Sequence, residues 1–247
     1  MKYTYEELAG MIDHSLLHPT MTDQELEDGC RLAARYKVVS VCIKPYFIKR
    51  AAQLLEGTGV KVGAVIGFPH GNSTSESKRY ETELACNDGA VEIDMVINIG
   101  KALGGDWDYV ERDIKIVCDE AHKHGAKVKV IFENDYLTNG GAGLSSDALK
   151  RKLGQISERS GADWIKTSTG YGFVKGTDGK YSYQGATEAD LRLMRSSVSE
   201  KVQVKAAGGV RDLDGLIRVR DLGATRCGAS ATAAILDECR KRAKSSS

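Results

Sequence analysis

Short apolar runs alternate with amphipathic stretches down the whole chain, and this alternation limits the fold more than any other feature. The runs are "MIDHSLL" (11–17), "VVSVCI" (38–43), "VKVGAVIGF" (60–68), "VEIDMVI" (91–97), "AKVKVIFE" (126–133), "DWIKT" (163–167), "KVQVKA" (201–206) and "TRCGAS" (225–230). Between them lie helix-like segments such as "TDQELEDGCRLAARY", "SESKRYETELACNDG", "WDYVERDIKIVCDEAHKHG", "SSDALKRKLGQISERSG" and "TEADLRLMRSSV". Gly89, Gly125, Gly161 and Gly223 stand where helix C-caps belong. Eight strands in 247 residues give one βα unit per roughly thirty residues. No linker or low-complexity stretch interrupts the series. The pattern predicts an α/β protein, a single-domain (β/α)8 TIM barrel over residues 1–247, with a short disordered tail at 242–247. The alternative is a doubly wound sheet, because strand order is not written in the sequence. The G-x-G-x-x-G that would favour such a sheet after the first strand is absent.

Parity along the strands sorts their side chains into two faces. Val91, Ile93, Met95 and Ile97 oppose Glu92, Asp94 and Val96; Val128, Val130 and Phe132 oppose Lys127, Lys129, Ile131 and Glu133. Ile165 and Thr167 oppose Trp164 and Lys166; Val202, Val204 and Ala206 oppose Gln203 and Lys205; Val39, Val41 and Ile43 oppose Ser40, Cys42 and Lys44. The uniformly apolar set must face the helices. Glu92, Asp94, Lys129, Glu133, Lys166, Lys205 and Cys42 then point into a barrel that is ordinarily filled by branched apolar residues. Charges placed there need partners or a task.

Lys166 and Lys205 end consecutive barrel strands, the sixth and the seventh, at the end where barrel active sites form. Neighbouring strands lie about 4.8 Å apart, so two inward amines would crowd each other. Like charge and desolvation both disfavour double protonation, which leaves one neutral amine able to attack a carbonyl. Simple pairing of each lysine with Asp94 or Glu133 is the plainer expectation. Asp94, mid-strand, is placed to shuttle protons or to neutralise a buried lysine. Lys129 and Glu133 share a strand face and are expected to form a supporting ion pair. After the last two strands come "KAAGGVRD" and "CGASATAAI". A glycine pair and a hydroxyl at a helix start together favour a phosphate or another anion; Arg211 is either a helper or a solvated loop residue.

Other function classes are disfavoured. With 35 basic and 34 acidic residues, net +1, the chain has no electrostatic footprint for nucleic acid or a membrane surface. The six cysteines are scattered without C-x-x-C spacing and read as reduced thiols of a cytoplasmic protein. The N-terminus has no apolar core of a signal peptide. His122 and His124 sit in a last helical turn, His14 and His18 straddle the end of the first strand, and no metal set emerges. Cys42 is either a small packing residue or a reactive thiol.

The stretches "IDHSLL", "SVCIKP", "VIGFPHG", "EIDMVINIG", "KVIFEN", "DWIKTSTGY", "VKAAGGVR" and "GAS", in that order and spacing, resemble the deoxyribose-phosphate aldolases from about residue 11 to residue 235. The resemblance implies a metal-free, cofactor-free class I aldolase on a (β/α)8 barrel. It would interconvert 2-deoxy-D-ribose 5-phosphate with acetaldehyde and D-glyceraldehyde 3-phosphate. It implies Lys166 as the Schiff-base lysine, Lys205 as the lysine that lowers its pKa, and Asp94 as the proton-relay acid/base. Gly208, Gly209 and Ser230 fall at the phosphate, with Thr169 and Cys42 as further substrate-side residues. The implied partners are a small sugar phosphate and aldehydes, and members often pair as homodimers. The chain departs from the family pattern at Lys44, commonly asparagine, Ala231, often a second serine, and Asn134, frequently threonine. It also lacks the C-terminal tyrosine that some members use. These changes bear on substrate identity, so a Schiff-base aldolase with another donor or acceptor is the alternative. A sugar-phosphate sensor without turnover and an isomerase using Lys166 as an acid are the further rivals.

Overall fold

The helices begin where a short polar side chain can accept from the first turn. In the computed structural model, which describes residues 2–245, Thr22 caps α2 (Asp23–Tyr36), Thr74 caps α4 (Ser75–Asn87) and Asp106 caps α6 (Trp107–Lys123). Ser145 caps α7 (Ser146–Arg159), Thr187 caps α8 (Glu188–Ser197) and Asp212 caps α9 (Leu213–Asp221). The remaining helices are α1 (Tyr5–Ala9), α3 (Ile48–Leu55), α5 (Ile99–Gly104) and α10 (Thr232–Ser245). The four expected C-cap glycines all take positive φ, from 72° at Gly125 to 108° at Gly89, a region in which a Cβ is strained.

The strands are β1 (Ile12–Leu16), β2 (Ser40–Ile43), β3 (Lys61–Ile66), β4 (Glu92–Val96), β5 (Lys127–Ile131), β6 (Trp164–Lys166), β7 (Val174–Lys175), β8 (Tyr181–Ser182), β9 (Gln203–Ala207) and β10 (Ala224–Ala229). Eight of them close a parallel barrel in the order β1-β10-β9-β6-β5-β4-β3-β2. The barrel expectation holds and the doubly wound alternative falls, because β1 pairs with both β2 and β10. Val41, Ile93, Val128, Ile165 and Val204 are buried in the main apolar core, which lies between strands and helices.

Two features depart from the sequence expectation. The stretch 173–184 forms an antiparallel ribbon, β7 against β8, outside the barrel, in a segment where the strand pattern of the sequence marks no run. At the other end, α10 runs on to Ser245, and Arg242 pairs there with Asp214 and Glu238. Residues 242–245 therefore continue a helix instead of starting a disordered tail; residues 246 and 247 lie outside the described residues.

Candidate active site

The register sets the inward charges side by side. Asp94 of β4 lies opposite Lys129 of β5, and Lys166 of β6 lies opposite Lys205 of β9. Asp94 Oδ2 accepts from the amines of both Lys166 and Lys205, each at 2.6 Å, while its Oδ1 accepts from Lys129 at 2.8 Å. Asp13, on β1, completes the cluster: it accepts from Lys205, from Lys129 at 3.3 Å and from the Ser40 hydroxyl at 2.6 Å. One layer lower, Glu92 pairs with Lys129 at 2.6 Å and with Arg226 at 3.2 Å. Trp164 closes the barrel floor, with the charges of Lys129 and Arg226 over its ring.

Burial opposes every charge in this cluster, and the partners decide each outcome. Burial would raise Asp94, but Lys129, Lys166 and Lys205 outweigh it and hold the carboxyl well below its usual range. Asp13 is lowered in the same way, by Lys129 and Lys205. Burial would lower Lys205, but Asp13 and Asp94 outweigh it and hold this amine above the ordinary lysine value. Lys129 is likewise held well above it, by Asp13, Asp94 and Glu92 against burial. The expected crowding of two amines is therefore real, yet Lys205 keeps its charge, because a second carboxylate that parity reasoning had not singled out stands beside it.

Above the cluster opens a cavity of about 740 Å3 at the C-terminal ends of the strands. Lys166, Lys205, Cys42, Thr169, Gly208, Gly209, Arg211 and Ser230 all line it. Asp94 does not; it is fully buried beneath the two amines. Cys42 lies 3.8 Å from Asp94 Oδ2, and burial followed by the Asp94 charge pushes its thiol up to about 12. That makes it a poor nucleophile at neutral pH. Gly208 and Gly209 take φ 91° and 85°, so consecutive left-handed residues form the turn after β9. Ser230 follows β10 directly, two residues ahead of the start of α10. Asp13, Cys42 and Asp94 bring potential metal-ligand atoms within 4.8 Å of one another, but the carboxylate oxygens are already engaged, by ammonium groups and, at Asp13 Oδ1, by the Ser40 hydroxyl.

The loop after β6 is held by an unusual residue. Glu133 sits at φ 58°, ψ 64° just beyond β5, a conformation rare outside glycine. Its carboxylate accepts from the backbone N–H and the hydroxyl of Thr169. Burial pushes it up to about 7, against those hydrogen bonds. The expected Lys129–Glu133 ion pair does not form: the left-handed turn swings Glu133 onto the β6 loop, while Lys129 stays on the barrel axis with three other carboxylates. Thr169 reaches the cavity, but its hydroxyl is committed to Glu133 and to the N–H of Tyr171.

The departures from the family pattern fall outside the cavity lining. The Lys44 amine donates to the carbonyls of His18 and Met21, bracing a wall loop from behind. Asn134 is buried with its Nδ2 on Met194, and Ala231 packs against the apolar core. His14 lines the cavity and meets the Thr232 hydroxyl at 2.8 Å, with burial lowering it to about 4. Sequence reasoning missed Asp13 and Tyr183. Asp13 had a signal, since "IDH" repeats the buried-carboxylate position of "IDM". Tyr183 reaches the cavity only because the β7–β8 ribbon folds back.

Comparison with known proteins agrees with this geometry. A family model described as DeoC/LacD family aldolase matches residues 8–236. A deoxyribose-phosphate aldolase of Rhodopirellula baltica is 51% identical over 97% of this chain and 92% of its own length. One from Aciduliprofundum boonei is 42% identical over 94% and 96%. Among solved structures, a tetrameric deoxyribose phosphate aldolase from Aeropyrum pernix superposes with a TM-score of 0.83 at 29% identity, over 97% of this chain and 93% of that one.

Proposed function

The chain belongs to the DeoC/LacD family of aldolases, and from that premise we propose that it reversibly cleaves 2-deoxy-D-ribose 5-phosphate into acetaldehyde and D-glyceraldehyde 3-phosphate through a lysine Schiff base. One observation carries the assignment of roles: two lysine amines share one carboxylate oxygen at the floor of a cavity whose rim holds a glycine pair. Charge balance favours Lys166 as the nucleophile. Asp13, Glu92 and Asp94 are matched by Lys129, Lys205 and Arg226, so Lys166 is the amine that the buried cluster does not need as a cation.

In this proposal Lys166 attacks C1 of the open-chain sugar, and the Lys205 ammonium supplies the proton with which water leaves, giving a protonated imine beside a neutral Lys205 amine. The imine withdraws electrons from C2, so the C2–C3 bond breaks as the C3 hydroxyl loses its proton. That proton passes through a water, with Asp94 as the bridge, to the Lys205 amine that imine formation left neutral. Asp94 is too strongly held as an anion to store it, and so acts as a conduit between the two amines. The two-carbon enamine is reprotonated and hydrolysed, releasing acetaldehyde. Gly208, Gly209 and Ser230 receive the phosphate, with Arg211 beside them; Thr169 and Cys42 shape the wall. Because Lys44, Ala231 and Asn134 do not line the cavity, no contact favours the alternative donor or acceptor.

Reduction with borohydride in the presence of deoxyribose 5-phosphate tests the reading. The expected result is a mass adduct on the Lys166 peptide, absent in Lys166→Ala; an intact Lys166 with turnover continuing would overturn it, and so favour an isomerase. The proposal extends to a homodimer, which light scattering tests. It also extends to a cytoplasmic location, supported by six free cysteines and, among the described residues, no helix long and apolar enough to cross a membrane.

A further inference from the structure

The β7–β8 ribbon brings to the cavity wall a hydroxyl whose one polar side-chain neighbour among the described residues is the Ser168 hydroxyl. Tyr183 lines the cavity, and its phenolic oxygen is buried and, among the described residues, makes no well-formed hydrogen bond. The Ser168 hydroxyl lies beside it, also buried, close enough to favour the ionised phenol but too poorly aligned to satisfy either group. The phenol is placed with care. Gln184 and Gly185 donate their N–H groups to Asp135, and the Ala186 N–H donates to the Gly208 carbonyl. The ring leans on Phe173, 5.6 Å between centroids. A Cβ on Gly208 would land 1.8 Å from the Tyr183 oxygen. Gly208 therefore leaves room for this phenol as well as forming the turn. Burial raises the phenol, with Glu133 and Asp135 adding to the effect, so it remains a neutral donor.

Buried hydroxyls without partners are costly, and this one abuts the glycine pair at the anion end of the cavity. We propose that Tyr183 is a substrate-binding residue whose O–H donates to a phosphate oxygen of the sugar phosphate, with Ser168 free to donate in turn to the phenolic oxygen. The inference rests on the aldolase reading and adds to it a specificity residue carried by the ribbon rather than by the barrel.

Tyr183→Phe removes the hydroxyl and keeps the ring. A lost hydrogen bond to a charged group is expected to raise KM for deoxyribose 5-phosphate roughly tenfold with kcat little changed. Turnover of unphosphorylated deoxyribose, and borohydride trapping of acetaldehyde on Lys166, should match the wild type. An unchanged KM, or an equal loss for both sugars, overturns the role of Tyr183. Failure of the wild-type enzyme to trap acetaldehyde would instead overturn the aldolase reading, so the two failures are separable.

Discussion

Two buried lysine clusters in this molecule look alike and behave differently. Between α4 and α6, Lys78 is fully buried, donates to Asp113 at 2.6 Å and to the Val96 carbonyl at 2.8 Å, and Asp113 also accepts from Ser75. Inside the barrel, Lys166 and Lys205 share Asp94. The first cluster is one cation on one anion, sealed among helices. The second has more amines than its carboxylates require, and it opens on a cavity. A one-to-one buried pair has nothing to give up: removing either charge leaves the other stranded. A cluster with a surplus amine can lend that amine to a ligand and remain balanced.

The largest test of this contrast is Lys166→Ala. It should lower kcat/KM by on the order of 10³-fold or more, with the urea midpoint little changed, because Asp94 keeps Lys129 and Lys205. A collapse of stability instead would make Lys166 a structural partner like Lys78. Next comes Asp94→Asn, which should cost about 10²–10⁴ in kcat and also destabilise the fold, since Lys205 and Lys129 lose a shared counter-charge. Stopped-flow turnover and urea titration report the two losses separately. Lys78→Met is the mirror image: unfolding free energy should fall by about 3–5 kcal/mol, while kcat/KM of the folded fraction stays within about twofold of wild type.

A smaller effect concerns the clamp on the β6 loop. Glu133 is raised from 4.5 to about 7 in the folded state. The folded protein thus binds this proton more tightly than the unfolded chain does. The stability it contributes is fully present below about pH 4.5 and is lost as pH rises through about 7. Denaturation midpoints of Glu133→Gln and wild type should therefore diverge across that window, the variant showing the flatter profile; parallel curves would remove the clamp from the account. The smallest effect is expected from Lys44→Asn. Its amine braces His18 and Met21 from outside the cavity, so KM for the sugar phosphate should move by less than about twofold. A larger shift would mean that the wall loop, as well as the lysine pair, tunes the site.

Much of the barrel was legible because parallel strands sandwiched between a core and a helix layer carry a strict two-residue parity. Val128, Val130 and Phe132 against Lys129 is enough to aim Lys129 inward. Parity fails where the chain leaves the strand. Glu133 is two residues beyond the end of β5, and its left-handed backbone sends the carboxylate to Thr169 instead of Lys129. The same limit hid the Tyr183 hydroxyl, which depends on how an exposed ribbon folds over the cavity.

By itself the sequence determined which side chains within the strands face inward, where the eight barrel strands lie, and that two lysines stand on adjacent strands, the second just ahead of a glycine pair. These follow from local periodicity and turn chemistry, which act over a few residues. Only the tertiary structure decided who neutralises whom. Asp13 and Lys205 are 192 residues apart in the chain and meet because the barrel closes, and closure is what sets a second carboxylate beside Lys205 and, among the described residues, leaves Lys166 with Asp94 alone. Pairing inside a closed barrel depends on register around the whole ring, and no single stretch of sequence contains it.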